Sequence, residues 1–291
     1  MDPMFTLLWQ QYRTWADTSG HLKEQNARWK RRVLILTIVG TAFAALGPHA
    51  GSAVVAHALP WIGAVALALA TYFGKELLDA KHDEAWTRAR AAAEAYKSES
   101  CKYLVQIAPY DGPDRTSRLK ARMDELSKTI NGQPKDFPEE QTKKNLPTQV
   151  WTIDDYLTKR LNDQVKYYSD RAADYAASMN KGRAISLTLG GVSVLLGAAT
   201  GATPQGATFS GAVLGVVTTV AASIGAYYQA GHYEALSLKY RETAQALRRL
   251  AAEFTSPGSS RNAAELVTSA ETIMQAENAG WLTEMTTVKT G

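Results

Sequence analysis

The stretch VLILTIVGTAFAALGPHAGSAVVAHALPWIGAVALALATYF (residues 33–73) contains no Asp, Glu, Lys or Arg, and neither does a second stretch, residues 184–231. A helix needs about 20 apolar residues to cross a hydrocarbon core of roughly 30 Å. Each uncharged stretch is long enough for two crossings and is interrupted near its middle by glycine and proline. The pattern predicts four membrane spans, at residues 33–51, 53–73, 184–202 and 208–228.

The two uncharged stretches each have the form of a transmembrane hairpin. Their links, GPHAGSA (47–53) and GATPQGA (201–207), carry no charge, whereas basic residues flank the outer ends of the spans. The cluster Lys30–Arg32 precedes the first span, and Arg183 precedes the third. Such basic flanks stay on the cytoplasmic side of a membrane. We therefore expect a multi-pass inner-membrane protein whose two termini and middle region lie in the cytoplasm.

The charged remainder of the chain has the pattern of helices. Apolar residues recur at helical spacing over about 3–22, 115–130 and 261–286, and the outgoing spans are predicted to continue as helices beyond the membrane. Strand patterns are nearly absent. The predicted fold class is an all-α membrane protein with two tandem transmembrane helical hairpins and long helical cytoplasmic extensions.

Composition argues against several classes of function. The single cysteine, Cys101, excludes an internal disulfide, and no Cys/His spacing suits zinc. A net charge of +4 without a long basic run favours contact with lipid headgroups over nucleic-acid binding. A proton pump or an intramembrane protease needs ionisable groups within its spans. The predicted spans have almost none, with His49 and His57 as the exceptions, which argues against both classes. We expect no enzyme activity, metal or cofactor.

A charged segment behind each hairpin recurs at a constant offset. R-x-x-A-E-A-Y-K begins at Arg90 and R-x-x-A-Q-A-L-R at Arg241, 151 positions later, and the same offset places Arg32 on Arg183. Duplication of a helix–hairpin–helix unit explains the offset, and chance similarity between Ala-rich helices is the alternative. The predicted division is a first unit (1–130, with hairpin 33–73 and helices 74–130), a proline-containing linker (131–150) and a second unit (151–291, with hairpin 184–228 and helices 229–286).

The repeated charged helix is predicted to be a stalk that packs against its neighbours. Arg90 and Glu94 are four positions apart and can pair within the helix, as can Glu94 and Lys97, three positions apart. A ligand-binding role for the arginines of this helix is the alternative.

These residues resemble the SLATT family, the SMODS and SLOG-associating two-transmembrane effectors. The resemblance rests on the hairpins, on W-x-x-x-R-x-x-A-E (Trp86 to Glu94) and on E-x-x-x-x-x-E-x-x-x-W (Glu271 to Trp281), and it covers nearly the whole chain as a tandem version. In the second unit Ser237 and Gln245 replace the Trp and Glu, so the match is looser there. The repeat-motif residues are Trp86, Arg90, Glu94, Arg241 and Gln245. The resemblance implies a role in bacterial conflict and antiphage systems, in which a nucleotide-sensing or nucleotide-producing partner triggers breaching of the membrane.

Small and hydroxyl-bearing residues line the predicted spans. Small residues let helices approach closely, and hydroxyls can bond between helices. The same hydroxyls could instead line a water-filled path, because a channel can conduct without rings of charge. The helix-packing candidates are Gly197, Gly201, Gly211 and Gly215, and the pore-lining candidates are Thr218, Thr219, Ser223, Thr37, Thr41 and Ser193.

Two functions are compatible with these predicted spans and helices. The first is an oligomeric channel or pore-forming effector, gated by a cytoplasmic signal such as a nucleotide second messenger or a sensor protein. Four spans from one chain enclose little space, so this function implies a homo-oligomer around a shared axis. The second is a non-conducting membrane anchor whose helical part recruits cytoplasmic partners.

Overall fold

The computed structural model describes residues 2–77, 80–130, 132–202, 207–229, 231 and 233–287. Every regular element in these residues is helical. The α-helices are α1 (Pro3–Leu46), α2 (Ala53–Leu77), α3 (Ala80–Val105), α4 (Arg115–Thr129), α5 (Glu139–Thr142), α6 (Ile153–Tyr156), α7 (Asp163–Ala202), α8 (Ala207–Gln229), α9 (Tyr233–Thr255) and α10 (Ala263–Thr287). A 3-10 turn (Gly47–His49) follows α1, and a π-helical turn (Leu157–Asn162) joins α6 to α7.

The chain forms two compact units that interleave along the sequence. The head unit comprises Met1–Glu24, Ala80–Ala172 and Leu238–Gly291, and the span unit comprises Gln25–Asp79 and Ala173–Ser237. Helices α1 and α7 contribute residues to both units. The helix predicted at about 3–22 is thus the beginning of α1, which continues without a break to Leu46.

The span unit contains the four predicted crossings. Four helical segments are long and apolar enough to cross a membrane, and at most 17% of the most apolar window in any of them is buried within the chain. Large apolar side chains point outward, with Val54 and Trp61 each 77% exposed. Apolar surface of this extent needs lipid or another protein to cover it. The fold class and the multi-pass membrane arrangement are therefore confirmed.

The first hairpin is closed by two glycines that face each other. A Cβ built on Gly63 would lie 2.5 Å from the backbone nitrogen of Ala44 and 2.7 Å from the carbonyl oxygen of Gly40. Helices α1 and α2 therefore meet backbone to backbone at this point, which only residues without a side chain permit. At the turn, Gly47 lies equally close to the ring of Pro60. Residues 203–206 of the second link lie outside the described residues.

The predicted continuation of the fourth span into a charged helix is interrupted. Helix α8 ends at Gln229, and Gly231 lies in a turn whose amide donates to the carbonyl of Tyr228. Helix α9 begins at Tyr233. Gly231 thus separates the span helix from the charged helix.

The segment predicted as a linker packs on the first helix. The amide of Lys135 donates to Thr18 Oγ1 at 3.0 Å, and the indole of Trp9 donates to the carbonyl of Lys144 at 3.2 Å. This segment contains the short helix α5. Residues 132–150 therefore form part of the head unit and cover α1.

Buried positions in the head unit recur at the offset of 151. Ala93 in α3 and Ala244 in α9 are buried, as are Tyr96 and Leu247. The agreement extends to the next helix of each repeat, where buried Leu119 of α4 corresponds to buried Ala270 of α10. A shared pattern of burial over two helices supports duplication over chance similarity, because chance similarity of composition does not fix which face is inside.

Candidate functional site: the ionic contact between the repeats

Arg160 is a fully buried charge placed by the π-helical turn. Helix α6 starts with a capping box, in which Thr152 Oγ1 accepts from the amide of Asp155 at 3.1 Å. The π turn follows at once and carries Arg160, whose side chain is 1% exposed. Its Nε and Nη2 donate to Oε1 and Oε2 of Glu271 in α10, both at 2.9 Å. Such a two-bond arginine–carboxylate pair is directional and strong.

Arg160 also joins the second repeat to the first. Its Nη2 donates to Oε2 of Glu94 in α3 at 3.2 Å. The hydroxyl of Tyr156 donates to Oε1 of Glu271 at 3.0 Å, so both oxygens of this carboxylate are occupied. One guanidinium therefore links carboxylates on α3 and α10.

A second cluster is centred on Arg90, one turn away along α3. Nη1 of Arg90 donates to the hydroxyl of Tyr240 at 2.7 Å, and Nη2 donates to Oε2 of Glu277 at 2.8 Å. The hydroxyl of Tyr168 donates to the same Glu277 oxygen at 3.2 Å. Arg90 and Glu94 make their ion pairs with residues of the second repeat and not with each other, because α10 and the π turn pack against α3. Arg90 still acts on Glu94 through space, since it helps to lower the pKa of this carboxyl.

The charges in these clusters are not equally compensated. Burial alone would raise the pKa of Glu94, but Arg160, Lys97 and Arg90 outweigh it and lower the pKa. At Glu277 burial outweighs the attraction of Arg90 and raises the pKa of the carboxyl. Glu277 Oε1 and Arg160 Nη1 are buried without a hydrogen-bond partner in the protein. Unpaired buried polar atoms are costly, so this contact is held less tightly than its number of ion pairs suggests.

Cys101 lies in the same region of α3. Burial raises the pKa of its thiol to about 12, since Arg160 only partly offsets the loss of water. The thiol therefore stays protonated at neutral pH and is a weak nucleophile. Among the described residues, no group of three or more His, Cys, Asp or Glu side chains has an arrangement that could hold a metal ion.

The repeat-motif residues have different surroundings in the two repeats. The ring of Trp86 lies 6.0 Å from the ammonium of Lys23 in α1. Arg241 and Gln245, which correspond to Arg90 and Glu94, lie exposed on α9. The motif is therefore buried between the repeats only in its first occurrence.

Four of the six predicted pore-lining hydroxyls bond within their own helices. Thr37, Thr218, Ser193 and Ser223 each donate to the carbonyl four residues earlier, at 2.8 to 2.9 Å. Thr219 supplies the carbonyl that accepts from Ser223, and its own side chain is exposed, while Thr41 is half-buried. The four bonded hydroxyls thus need no partner on another helix, and all six residues remain candidates for a path that forms between chains.

The glycines predicted to pack the second hairpin behave differently from Gly40 and Gly63. A Cβ on Gly211 or Gly215 would meet nothing within 4 Å, and one on Gly197 would meet only Leu214, at 3.9 Å. Gly201 lies in α7, but its surroundings lie outside the described residues. In a single chain, Gly211 and Gly215 therefore make no close helix contact.

Comparison with known families matches both halves of the chain. Residues 10–151 match SMODS and SLOG-associating 2TM effector domain 3, and residues 156–281 match SMODS and SLOG-associating 2TM effector domain 1. The chain belongs to the SLATT family. It carries two SLATT domains in tandem, of different types, which agrees with the looser motif in the second repeat. No curated protein and no solved structure matches this tandem SLATT chain.

The residues that carry the SLATT resemblance meet in space. Arg90 belongs to the motif of the first domain and Glu277 to that of the second, and they form an ion pair. Sequence reasoning missed Arg160, Tyr168 and Tyr240, which complete the contact. The sequence signals them weakly: Arg160 and Tyr168 lie eight positions apart on one predicted helix, and Tyr240 lies on the second copy of the repeated charged helix. Such spacing does not say which charge is buried.

Proposed function

We propose that this tandem SLATT chain is a subunit of a homo-oligomeric channel or pore in the bacterial inner membrane. It acts as an effector in a conflict or antiphage system and opens in response to a cytoplasmic signal. Both termini and the head unit lie in the cytoplasm, where basic residues flank the spans. The protein works by moving solutes through the bilayer and catalyses no reaction.

The main support is the uncovered surface of the spans in a chain that carries two effector domains. No more than 17% of the most apolar window of any span is buried within the chain. Four spans enclose little volume. Other copies of the chain are therefore expected to cover part of the apolar surface of the spans and to complete the lining of a conducting path. The hydroxyls of Thr218, Thr219 and Ser223 would face that path, with Thr37, Thr41 and Ser193 as further candidates.

Gating is proposed to act through the ionic contact between the repeats. Helix α3 follows the first hairpin in the chain, and α7 continues directly into the second. Arg90 and Glu94 bind α3 to the second repeat through residues that include an unpaired buried carboxylate oxygen. The contact would be formed in one state of the head unit and broken in the other. A nucleotide second messenger or a sensor protein that binds these two states with different affinity would shift the equilibrium between them. The trigger is a proposal that the SLATT membership supports.

A non-conducting membrane anchor is the second candidate. The observation that favours it is that four of the six candidate span hydroxyls already bond within their own helices. A scaffold needs only the head unit to recruit partners, and no path through the membrane.

Ion flux from liposomes separates the two functions. Reconstituted assembled protein, assayed without nucleotide and with a panel of cyclic nucleotides, is expected to release a trapped ion or small dye in at least one of these conditions. The double substitution Thr219→Leu with Ser223→Leu is expected to lower flux by about tenfold or more, because the apolar side chains would exclude water from the path. The matched control is Thr71→Leu with Thr188→Leu, two hydroxyls that also bond to the carbonyl four residues earlier. If the assembled wild-type protein releases neither ion nor dye under any condition, the channel function is excluded and the anchor function is favoured.

A further inference from the structure

Basic side chains from different helices of the head unit gather beside the Arg90 cluster. Burial lowers the pKa of the Lys23 ammonium in α1, and the guanidinium groups of Arg171 in α7 and Arg90 in α3 lower it further. Burial raises the pKa of Glu277, whereas Lys239 of α9, like Arg90, lowers it. Helices α1, α3, α7 and α9 thus each bring a cation to one region, which repulsion between like charges opposes.

Aromatic rings connect these cations in a continuous series of contacts, which begins at α1. The ammonium of Lys23 lies 6.0 Å from the centre of the Trp86 ring. Arg90 follows Trp86 by one turn of α3, and its guanidinium carbon lies 5.5 Å from the centre of the Tyr240 ring. The first two cations therefore lie on neighbouring turns of the same helix.

The series continues from α9 to α7. The centres of the Tyr240 and Tyr167 rings are 6.4 Å apart, and the guanidinium carbon of Arg171 lies 5.8 Å from the centre of the Tyr167 ring. Ring faces attract cations only weakly, and they supply no counter-charge. We define the cation row as Lys23, Trp86, Arg90, Tyr240, Tyr167 and Arg171.

The carboxylates beside the cation row compensate it incompletely. Glu94 is bound by Arg160, and Glu277 is the carboxylate that contacts Arg90. Among the described residues, Oε1 of Glu277 has no hydrogen-bond partner. The charges that act most strongly on Lys23 are two guanidinium groups. A place where cations face one another in this way favours an added anion, because the anion relieves their repulsion.

Solvent reaches both ends of the cation row. Lys23 and Arg171 are exposed, and the side chain of Tyr167 is 37% exposed. Arg90 lies deeper, with 15% of its side chain exposed. An anion that enters from solvent therefore meets Lys23 and Arg171 first and Arg90 last, and its entry does not require the head unit to unfold.

We propose that a phosphate-bearing ligand binds between Lys23 and Arg171 and competes with Glu277 for Arg90. A phosphate group carries at least one negative charge and several acceptor oxygens, and guanidinium groups match their geometry. A soluble nucleotide and the headgroup of an anionic lipid both present this chemistry. Because Arg90 joins the two repeats through Glu277, occupancy of the site would loosen their contact. This regulatory step rests on the proposed gating, and it gives that gating a site and a ligand chemistry.

Calorimetric titration of the full-length protein in detergent tests binding, with pyrophosphate, ATP and the panel of cyclic nucleotides as probes. We expect at least one probe to bind. The double substitution Lys23→Ala with Arg171→Ala is expected to raise its Kd by about tenfold or more. The matched control is Lys120→Ala with Arg249→Ala, the same charge change at exposed positions of α4 and α9, and it should keep the affinity. Equal losses in the two variants would attribute binding to net charge and overturn the site.

Native mass spectrometry distinguishes a lipid from a soluble ligand. If the headgroup of an anionic lipid is the ligand, the wild-type protein is expected to retain phosphatidylglycerol in preference to phosphatidylcholine. The variant with Lys23→Ala and Arg171→Ala is expected to lose that preference. If no soluble probe binds and no such preference exists, the proposal is overturned.

The stability of the unliganded protein separates a binding cation from a structural one. Lys23→Ala removes a charge that Arg90 and Arg171 repel, so its melting temperature should equal or exceed that of the wild type while its affinity falls. Residues selected for binding often lower stability in this way. A lower melting temperature would indicate that Lys23 supports the packing of Trp86, and it would overturn the assignment of Lys23 to the site.

Hydrogen exchange tests the competition with Glu277. When the bound probe is saturating, the amides of α10 near Glu277 are expected to exchange several times faster, because Arg90 no longer holds this helix. The amides of α4 serve as the control and should not change. Unchanged exchange in α10 would overturn the competition. Binding without liposome flux would keep the site and remove the channel function, and flux that the bound probe leaves unchanged would keep the channel and remove the regulatory step.

Discussion

The buried residue Arg160 shows how a charge is stabilised inside the head unit. Arg160 has lost its water but keeps its proton: burial alone would lower its pKa, while Glu271 and Glu94 raise the pKa well above its ordinary value. A buried ion pair is weak evidence of net stability, because desolvation offsets much of the attraction. Removing Glu271, in contrast, leaves Arg160 without water and with only the longer contact to Glu94.

Glu271→Gln tests this asymmetry. It is expected to lower the free energy of unfolding by about 3–5 kcal/mol, because Arg160 keeps its burial and loses its main carboxylate. Denaturant unfolding of the detergent-solubilised protein, followed by tryptophan fluorescence, measures the loss. Replacing both partners, with Arg160→Met and Glu271→Met, is expected to restore most of the stability. Asp170→Asn, which breaks an exposed pair with Lys166, is the control and should change stability little. A small effect of Glu271→Gln would show that water compensates Arg160.

At the scale of helices, the sequence predicts the spans better than their contacts. The spans follow from the absence of charge over residues 33–73 and 184–231, a signal that extends over whole helices. Contacts depend on single residues: Gly40 and Gly63 close the first hairpin, whereas the regularly spaced Gly211 and Gly215 meet nothing. Spacing on one helix does not reveal what stands opposite. The π turn was equally unpredictable, because one extra residue per turn leaves no mark in composition.

Gly63→Leu is predicted to open the first hairpin. The new side chain would overlap the backbone of α1 near Ala44, where even a Cβ would lie at 2.5 Å. Backbone cannot yield as a flexible side chain can, so we expect a loss of about 1–3 kcal/mol or more. Thermal unfolding in detergent, followed by circular dichroism, measures it. Gly215→Leu is the matched control and should leave the stability of the single chain nearly unchanged, since nothing lies within 4 Å. Equal losses would contradict the close approach of α1 and α2.

At the scale of the whole molecule, duplication produced one chain with unequal halves. The first repeat has a tryptophan, Trp9, where the second has Arg160, and a leucine, Leu126, where the second has Glu277. The ionic contact therefore exists only in one direction, from α3 of the first repeat to the second.

The arrangement of the chain in the membrane can be tested with single introduced cysteines. Four crossings require the 132–150 segment and the turn after α9 to lie on one side and the first hairpin link on the other. Ser52→Cys is expected to react with a membrane-impermeant maleimide in intact spheroplasts, and Lys143→Cys and Ser259→Cys only after lysis. All three positions are exposed, whereas the native Cys101 is buried and supplies the unlabelled control. Labelling of Lys143→Cys and Ser259→Cys from opposite sides would mean that the second stretch crosses an odd number of times, and the pairing of spans into two hairpins would then be wrong.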